Sequence, residues 1–209
     1  MVKVKVCGIT NLGDALASVE AGADALGFNF YRRSPRYVEP ARAREIVGRV
    51  PPGVLCVGVF VNEEREAVAR AVAESGVGAA QLHGDESPAY CETLRGMRLI
   101  KALRVGEGFA PERATDYAAE SILLDSFSAS ARGGTGRTFD WALARRTRSL
   151  VAQLYLAGGL TPENVAEAIS AVGPYAVDVC SGVEARPGVK DPERVRQFFA
   201  AVGRAPNKP

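Results

Sequence analysis

The chain has 209 residues, 47% of them hydrophobic and 24% charged, enough for one globular domain whose core needs no disulfides. A formal net charge of +2 gives no reason to expect nucleic acid or an anionic membrane as a partner. No run of 18 apolar residues occurs, the cysteines at 7, 56, 91 and 180 form no Cys-x-x-Cys pair, and His83 is the single histidine, so a reduced, cytoplasmic protein without metal is expected.

Short apolar runs alternate with helical patterns from end to end. In the first, residues 2–7, alternation puts Val2, Val4 and Val6 on one face and Lys3, Lys5 and Cys7 on the other. A helix is expected at 11–21. Strands follow at 24–29, 54–60, 78–82, 97–103, 120–125, 151–157 and 175–180. The helices between and after them are placed at 40–49, 63–75, 87–95, 111–118, 139–147, 162–172 and 191–202. Thr161-Pro162-Glu163 and Asp191-Pro192-Glu193 each place a capping residue before a proline suited to the first helical position. Eight strand–helix units predict an α/β fold, a single-domain (β/α)8 TIM barrel over residues 1–203 with a frayed tail at 204–209. A doubly wound sheet usually has fewer strands, and no GxGxxG follows the first one.

In such a barrel the chemistry sits where strands end. Cys7 stands at the end of the first, on the same face as Lys5. Arg36 lies in the long connection 29–39, where it is either a carboxylate clamp or a solvated surface arginine. Gln81 and His83 share a face at the end of the fourth strand, placed to line a substrate pocket. His83 is either a general base or a structural residue bonded to its loop. Asp125 ends the sixth strand on the face of Ser121 and Leu123, where an apolar mouth can raise a carboxyl pKa for proton donation. Asp178, in the matching place on the eighth strand, suits a loop cap or a sugar-hydroxyl contact. Gly158-Gly159 and Ser181-Gly182 follow strands seven and eight, the usual phosphate site of a barrel, although they also suit ordinary turns. Gly133-Gly134-Thr135-Gly136, in the connection 126–138, lacks the Lys-Ser/Thr of a P-loop and better suits a lid.

Nine runs taken in order give these residues a shared context: KVCGIT (5–10), GFNFYRRSPRYV (27–38), VGVFVN (57–62), QLHGDE (81–86), LLD (123–125), GGTG (133–136), LAGGLTPENV (156–165), VDVCSGVE (177–184) and PGVKD (187–191). Together they resemble the phosphoribosylanthranilate isomerases. The resemblance implies a (β/α)8 barrel with neither metal nor organic cofactor. Its substrate would be a phosphorylated sugar–anthranilate conjugate, rearranged by an Amadori reaction in tryptophan biosynthesis. It assigns Cys7 as general base, Asp125 as general acid, Arg36 to the anthranilate carboxylate and the two glycine loops to the phosphate. It leaves a homodimer open. One departure is Cys180, where the family usually carries serine; it adds a second thiol near the mouth. Competing readings are a ribulose-phosphate epimerase, the histidine-pathway sugar isomerase and a catalytically idle phosphosugar-binding barrel. The first would need histidine metal ligands, and the second an aspartate where Cys7 stands. The intact pair of Cys7 and Asp125 argues against the third.

Overall fold

Eight parallel strands close on themselves in the computed structural model, which describes residues 1–125 and 141–205. They are β1 (Lys3–Cys7), β2 (Ala25–Asn29), β3 (Leu55–Phe60), β4 (Ala79–Leu82), β5 (Leu99–Arg104), β6 (Ser121–Asp125), β7 (Leu154–Ala157) and β8 (Ala176–Val179). Each pairs with its neighbour in sequence, and β8 pairs with β1 to complete the single-domain (β/α)8 TIM barrel. Around it run α1 (Leu12–Glu20), α2 (Pro40–Val47), α3 (Arg65–Ser75), α4 (Pro88–Thr93), α5 (Trp141–Leu150), α6 (Val165–Val172) and α7 (Pro192–Arg204).

Period-2 alternation divides the buried side chains into two layers. Val4, Val6, Leu26, Phe28, Leu82, Leu124 and Val177 face outward and pack under the helices. Ala25, Val57, Ala79, Ile100, Ala102, Leu123, Tyr155, Ala157 and Ala176 fill the lumen, mostly as small residues around a few large ones. Lys5, Gln81 and Asp178 alternate with the outward set on their own strands and so point inward, each less than a tenth exposed. The expected faces of β1 are the observed ones.

Several boundaries differ. Residues 111–118 form only a 3₁₀ segment, Pro111–Asp116, too tight and short to continue as a helix. Thr161 does accept from the Glu163 N–H (3.2 Å), but the regular helix begins at Val165, after a turn in which the Asn164 side chain takes the Thr161 N–H (2.8 Å). At the other expected cap, Asp191 accepts from Glu193 and Arg194 with Pro192 opening α7, which runs through Arg204. Two short strands went unpredicted: β9 (Glu184–Arg186) and β10 (Val189–Lys190), an antiparallel hairpin turned at Pro187-Gly188. Thr10 Oγ1 donates to the Gly188 carbonyl (2.5 Å) and the Lys190 N–H to Asp14 (2.8 Å), so the hairpin folds back over the β1–α1 connection. The segment 126–140, with the Gly133–Gly136 run, and residues 206–209 lie outside the described residues. Among the described residues no helix is long and apolar enough to cross a membrane.

Candidate active site

At the centre of the β1–β8 seam, Lys5 and Asp178 are in register, and the Lys5 ammonium donates to both Asp178 oxygens at 3.0 Å. Their side chains are 0% and 6% exposed, a fully desolvated pair rather than the loop cap that Asp178 suggested in sequence. Burial acts to lower the Lys5 pKa, but the charges of Asp178 and Cys7 hold it above its ordinary value. Burial is also the largest influence on Asp178 and pushes its carboxyl up to about 7, against the pull of Lys5. Cys7 sits one layer higher. A side chain on Gly27, in register with Cys7 on β2, would meet the Cys7 sulfur at 2.7 Å and the Lys5 nitrogen at 3.0 Å. Glycine at this position makes the room that both groups occupy.

The second thiol belongs to the same cluster. Cys180 follows β8 one step beyond the Val6–Val179 pairing, which sets it beside Cys7. The neighbouring Cys180 thiol is the largest influence drawing Cys7 well below the ordinary thiol range; burial opposes it, and Lys5 and Lys190 add to it. The Cys7 thiol and burial push Cys180 the other way. The pair is thus biased in opposite directions, Cys7 towards the thiolate and Cys180 towards the thiol, and Cys180 Sγ also lies 3.9 Å from both Glu184 Oε1 and Lys190 Nζ. Cys56 and Cys91 are buried elsewhere, in the layer under the helices.

Arg36 reaches across from the β2 connection, its backbone turn held by Ser34 Oγ (3.1 Å). Its Nε and Nη2 donate to the two carboxylate oxygens of Glu184 at 2.8 and 2.6 Å. Lys190, 1% exposed, donates to Glu184 Oε1 (3.1 Å) and to the Cys180 carbonyl (3.3 Å). Burial works to raise Glu184, but Arg36 and Lys190 outweigh it and hold the carboxyl at about 2. The position expected to meet a carboxylate thus already holds one from the protein, by two of its five N–H donors. Neither Glu184 nor Lys190 was singled out in sequence. The Pro187-Gly188 turn signal, which predicts a hairpin bringing 184 and 190 together, would have found both.

The expected phosphate loops lie side by side. Gly158 and Gly159 adopt φ of 87° and 67°, conformations that favour glycine. Ser181 opens the 3₁₀ turn Ser181–Val183, and a side chain on Gly182 would lie 1.9 Å from the Leu160 carbonyl oxygen. Only glycine lets the two loops approach this closely. Arg194 of α7 fixes the turn by donating to the Gly182 carbonyl (2.9 Å).

Across the lumen, His83 Nε2 lies 2.9 Å from Asp125 Oδ2, and His83 Nδ1 lies 2.8 Å from the Gln81 amide nitrogen. The loop carrying His83 is tied from below. Lys101, 1% exposed, donates to the Leu82 and Gly84 carbonyls and to Glu86, which in turn accepts from the Gly84 and Asn62 N–H groups. The structure thus brings Cys7, Lys5, Asp178, Cys180 and Arg36 into one cluster and Gln81, His83 and Asp125 into a second. Consecutive strands β6, β7, β8 and β1 form the arc between them.

A (β/α)8 barrel with perturbed ionisable groups gathered at the carboxyl ends of its strands is an enzyme of the barrel class. The family model described as N-(5'phosphoribosyl)anthranilate (PRA) isomerase matches residues 4–201. A relative from Trichlorobacter lovleyi, an N-(5'-phosphoribosyl)anthranilate isomerase, is 51% identical over 199 residues, covering 95% of this chain and 97% of its own. The crystal structure of the Thermotoga maritima phosphoribosyl anthranilate isomerase superposes with a TM-score of 0.89 at 47% identity, over 97% of this chain and 99% of that one. A second structure of such an isomerase, in complex with reduced 1-(o-carboxyphenylamino)-1-deoxyribulose 5-phosphate, gives 0.86 at 46% identity over 97% and 100%. The chain belongs to the N-(5'-phosphoribosyl)anthranilate isomerase family.

Proposed function

We propose that this isomerase of tryptophan biosynthesis performs its Amadori rearrangement with Cys7 as the base and Asp125 as the acid. The substrate is N-(5'-phosphoribosyl)anthranilate, and the product is 1-(2-carboxyphenylamino)-1-deoxyribulose 5-phosphate. The acid protonates the furanose ring oxygen and the ring opens to a Schiff base. The base then removes the C2' proton, leaving an enolamine that becomes the ketone.

One observation carries the reading: a thiol at the end of β1 and a carboxyl at the end of β6 face one lumen. The Cys7 thiol is drawn towards thiolate by the Cys180 thiol and by two buried lysines. An ordinary thiol would be only about 3% ionised at neutral pH. Asp125 stands across the arc with an imidazole against one oxygen. A phosphate on the Gly158-Gly159 and Ser181-Gly182 loops would lie on β7 and β8, between the two. The Arg36 donors not given to Glu184 suit the anthranilate carboxylate. Gln81, His83 and Asp178 line the sugar, with lone pairs on Asp178 beyond those facing Lys5 to accept from a hydroxyl.

The test is the loss of anthranilate fluorescence on freshly made substrate. Wild type should run well above spontaneous decay, and Cys7→Ser and Asp125→Asn should each lower kcat by about 10²–10⁴-fold. Wild-type turnover in either variant would remove that residue from its role. No turnover by the wild type would sink the reading as a whole.

A further inference from the structure

The contact between His83 and Asp125 continues behind the imidazole into Gln81, and this second link constrains where protons sit. An amide nitrogen only donates, so Gln81 Nε2 at 2.8 Å makes His83 Nδ1 an acceptor. The neutral ring then carries its hydrogen on Nε2 and donates it to Asp125 Oδ2 at 2.9 Å. In this arrangement Asp125 is a carboxylate. Gln81 is fully buried, and its other terminal atom, Oε1, has no hydrogen-bond partner among the described residues. Turning the amide by half a revolution places that idle oxygen on Nδ1. The ring can then hold a hydrogen there, so the pair carries one proton more, shared between Nε2 and Oδ2. The three side chains thus accommodate two protonation states that differ by one proton, the amide turning end for end between them.

We propose that His83 is a positioning residue for Asp125, and that with Gln81 behind it the imidazole lets the acid and the ring share and exchange one titrating proton. The inference rests on the assignment of Asp125 as the acid. It also meets a requirement of the chemistry. In ring opening the Asp125 O–H bond breaks as an O–H bond forms on the ring oxygen. The C1'–O bond breaks with its electron pair on that oxygen, and the nitrogen lone pair makes the C=N bond. The acid is left as a carboxylate, which is the form that accepts from His83 Nε2–H. The proton removed later from C2' goes to Cys7, so Asp125 must regain its own from water. His83, 24% exposed and bonded to the 19%-exposed Asp125, lies on that route.

Among the described residues the nearby charges include Asp178 on β8, which senses the His83 charge, Lys5 and Cys7 on β1, and Arg104 at the end of β5, level with Asp125. Lys101 and Glu86 lie behind the loop. All of them persist in a His83→Gln variant, whose amide nitrogen keeps a donor near the Nε2 position but cannot titrate. The experiment is the pH dependence of kcat and KM for wild type, His83→Gln, His83→Leu and Gln81→Met, with circular dichroism and thermal melts as a check on folding. If the pair holds one proton in common, removing the titrating ring should move the alkaline limb of kcat to lower pH in His83→Gln. A change confined to KM, with the limb in its wild-type place, would mean that His83 acts only as a sugar contact and would overturn the proposal. His83→Leu, which also loses the donor, should lower kcat by about 10²-fold. Gln81→Met should shift the same limb as His83→Gln, by less. An alkaline limb of wild-type position in folded His83→Gln overturns the proposal, even if His83→Leu fails to fold. Asp125→Asn separates the two readings: if it stays active the acid assignment itself is wrong. If it is dead while His83→Gln keeps the wild-type profile, only the shared proton is wrong.

Discussion

Cys7 combines three influences that act on a single sulfur, and each comes from a different strand position. Cys180 supplies a neighbouring thiol, Lys5 a cation from the layer below and Lys190 a second cation from the hairpin. All three favour the thiolate, so removing any one raises the Cys7 pKa. A base must be deprotonated to work, so the acidic limb of kcat/KM then moves to higher pH. Cys180→Ala should show this shift, whereas Cys180→Ser keeps a hydroxyl donor and should stay near wild type. Lys5→Met should shift the limb too, and is best compared in an Asp178→Asn background so that no buried charge is left alone. An unmoved limb in Cys180→Ala would mean that the second thiol does not act on the first. Alternation along residues 2–7 made the Lys5–Cys7 pair legible in sequence. The contact with Cys180 was not, because it depends on how β8 comes into register with β1 when the barrel closes. That register joins positions 173 residues apart, and no local pattern encodes it.

At the scale of elements, the hairpin β9–β10 is the piece that periodicity passed over, since strands of three and two residues are too short to show a period. Its function is to carry Glu184 and Lys190 to the end of β8, where Glu184 ties Arg36 of the β2 connection to the thiol cluster. Glu184→Gln keeps the shape and removes the charge that both cations share. Breaking a buried pair at one partner costs about 3 kcal/mol or more, because Lys190 is left charged and buried. The pH dependence has a definite sign. The folded pKa of Glu184, about 2, lies below its ordinary 4.5, so its contribution is complete above that value and is lost as pH falls towards 2. Urea unfolding should therefore show a large gap between wild type and Glu184→Gln at pH 7 and a smaller one at pH 3. A gap independent of pH would mean that packing rather than charge holds the hairpin.

Besides Lys190–Glu184 at the hairpin, the described residues contain two buried lysine–carboxylate pairs, Lys5–Asp178 and Lys101–Glu86, and they are built for different ends. Lys101 and Glu86 also bind the main chain, through the Leu82 and Gly84 carbonyls and the Gly84 and Asn62 N–H groups, so the pair completes the backbone hydrogen bonding of the β4 connection. Lys5 and Asp178 bond to each other and point their charge at Cys7. Replacing a buried ion pair by apolar groups of like volume is often neutral or stabilising by about 1–4 kcal/mol, provided that nothing else is left unpaired. Lys5→Met with Asp178→Leu should accordingly be at least as stable as wild type, yet turn over poorly. Lys101→Met with Glu86→Leu should be clearly less stable, since buried backbone groups lose their partners. The first comparison also has a pH signature. The folded Asp178 pKa of about 7 exceeds its ordinary 3.8, so the wild type loses stability as pH rises through that window. Lys5 stays charged throughout it. The advantage of the apolar pair over wild type should therefore grow between about pH 4 and pH 7. Denaturant unfolding of both double variants at these two pH values, beside the fluorescence assay, decides the matter. An apolar Lys5–Asp178 replacement that unfolds more easily than wild type at neutral pH would show that the seam of the barrel, and not only its chemistry, depends on this pair.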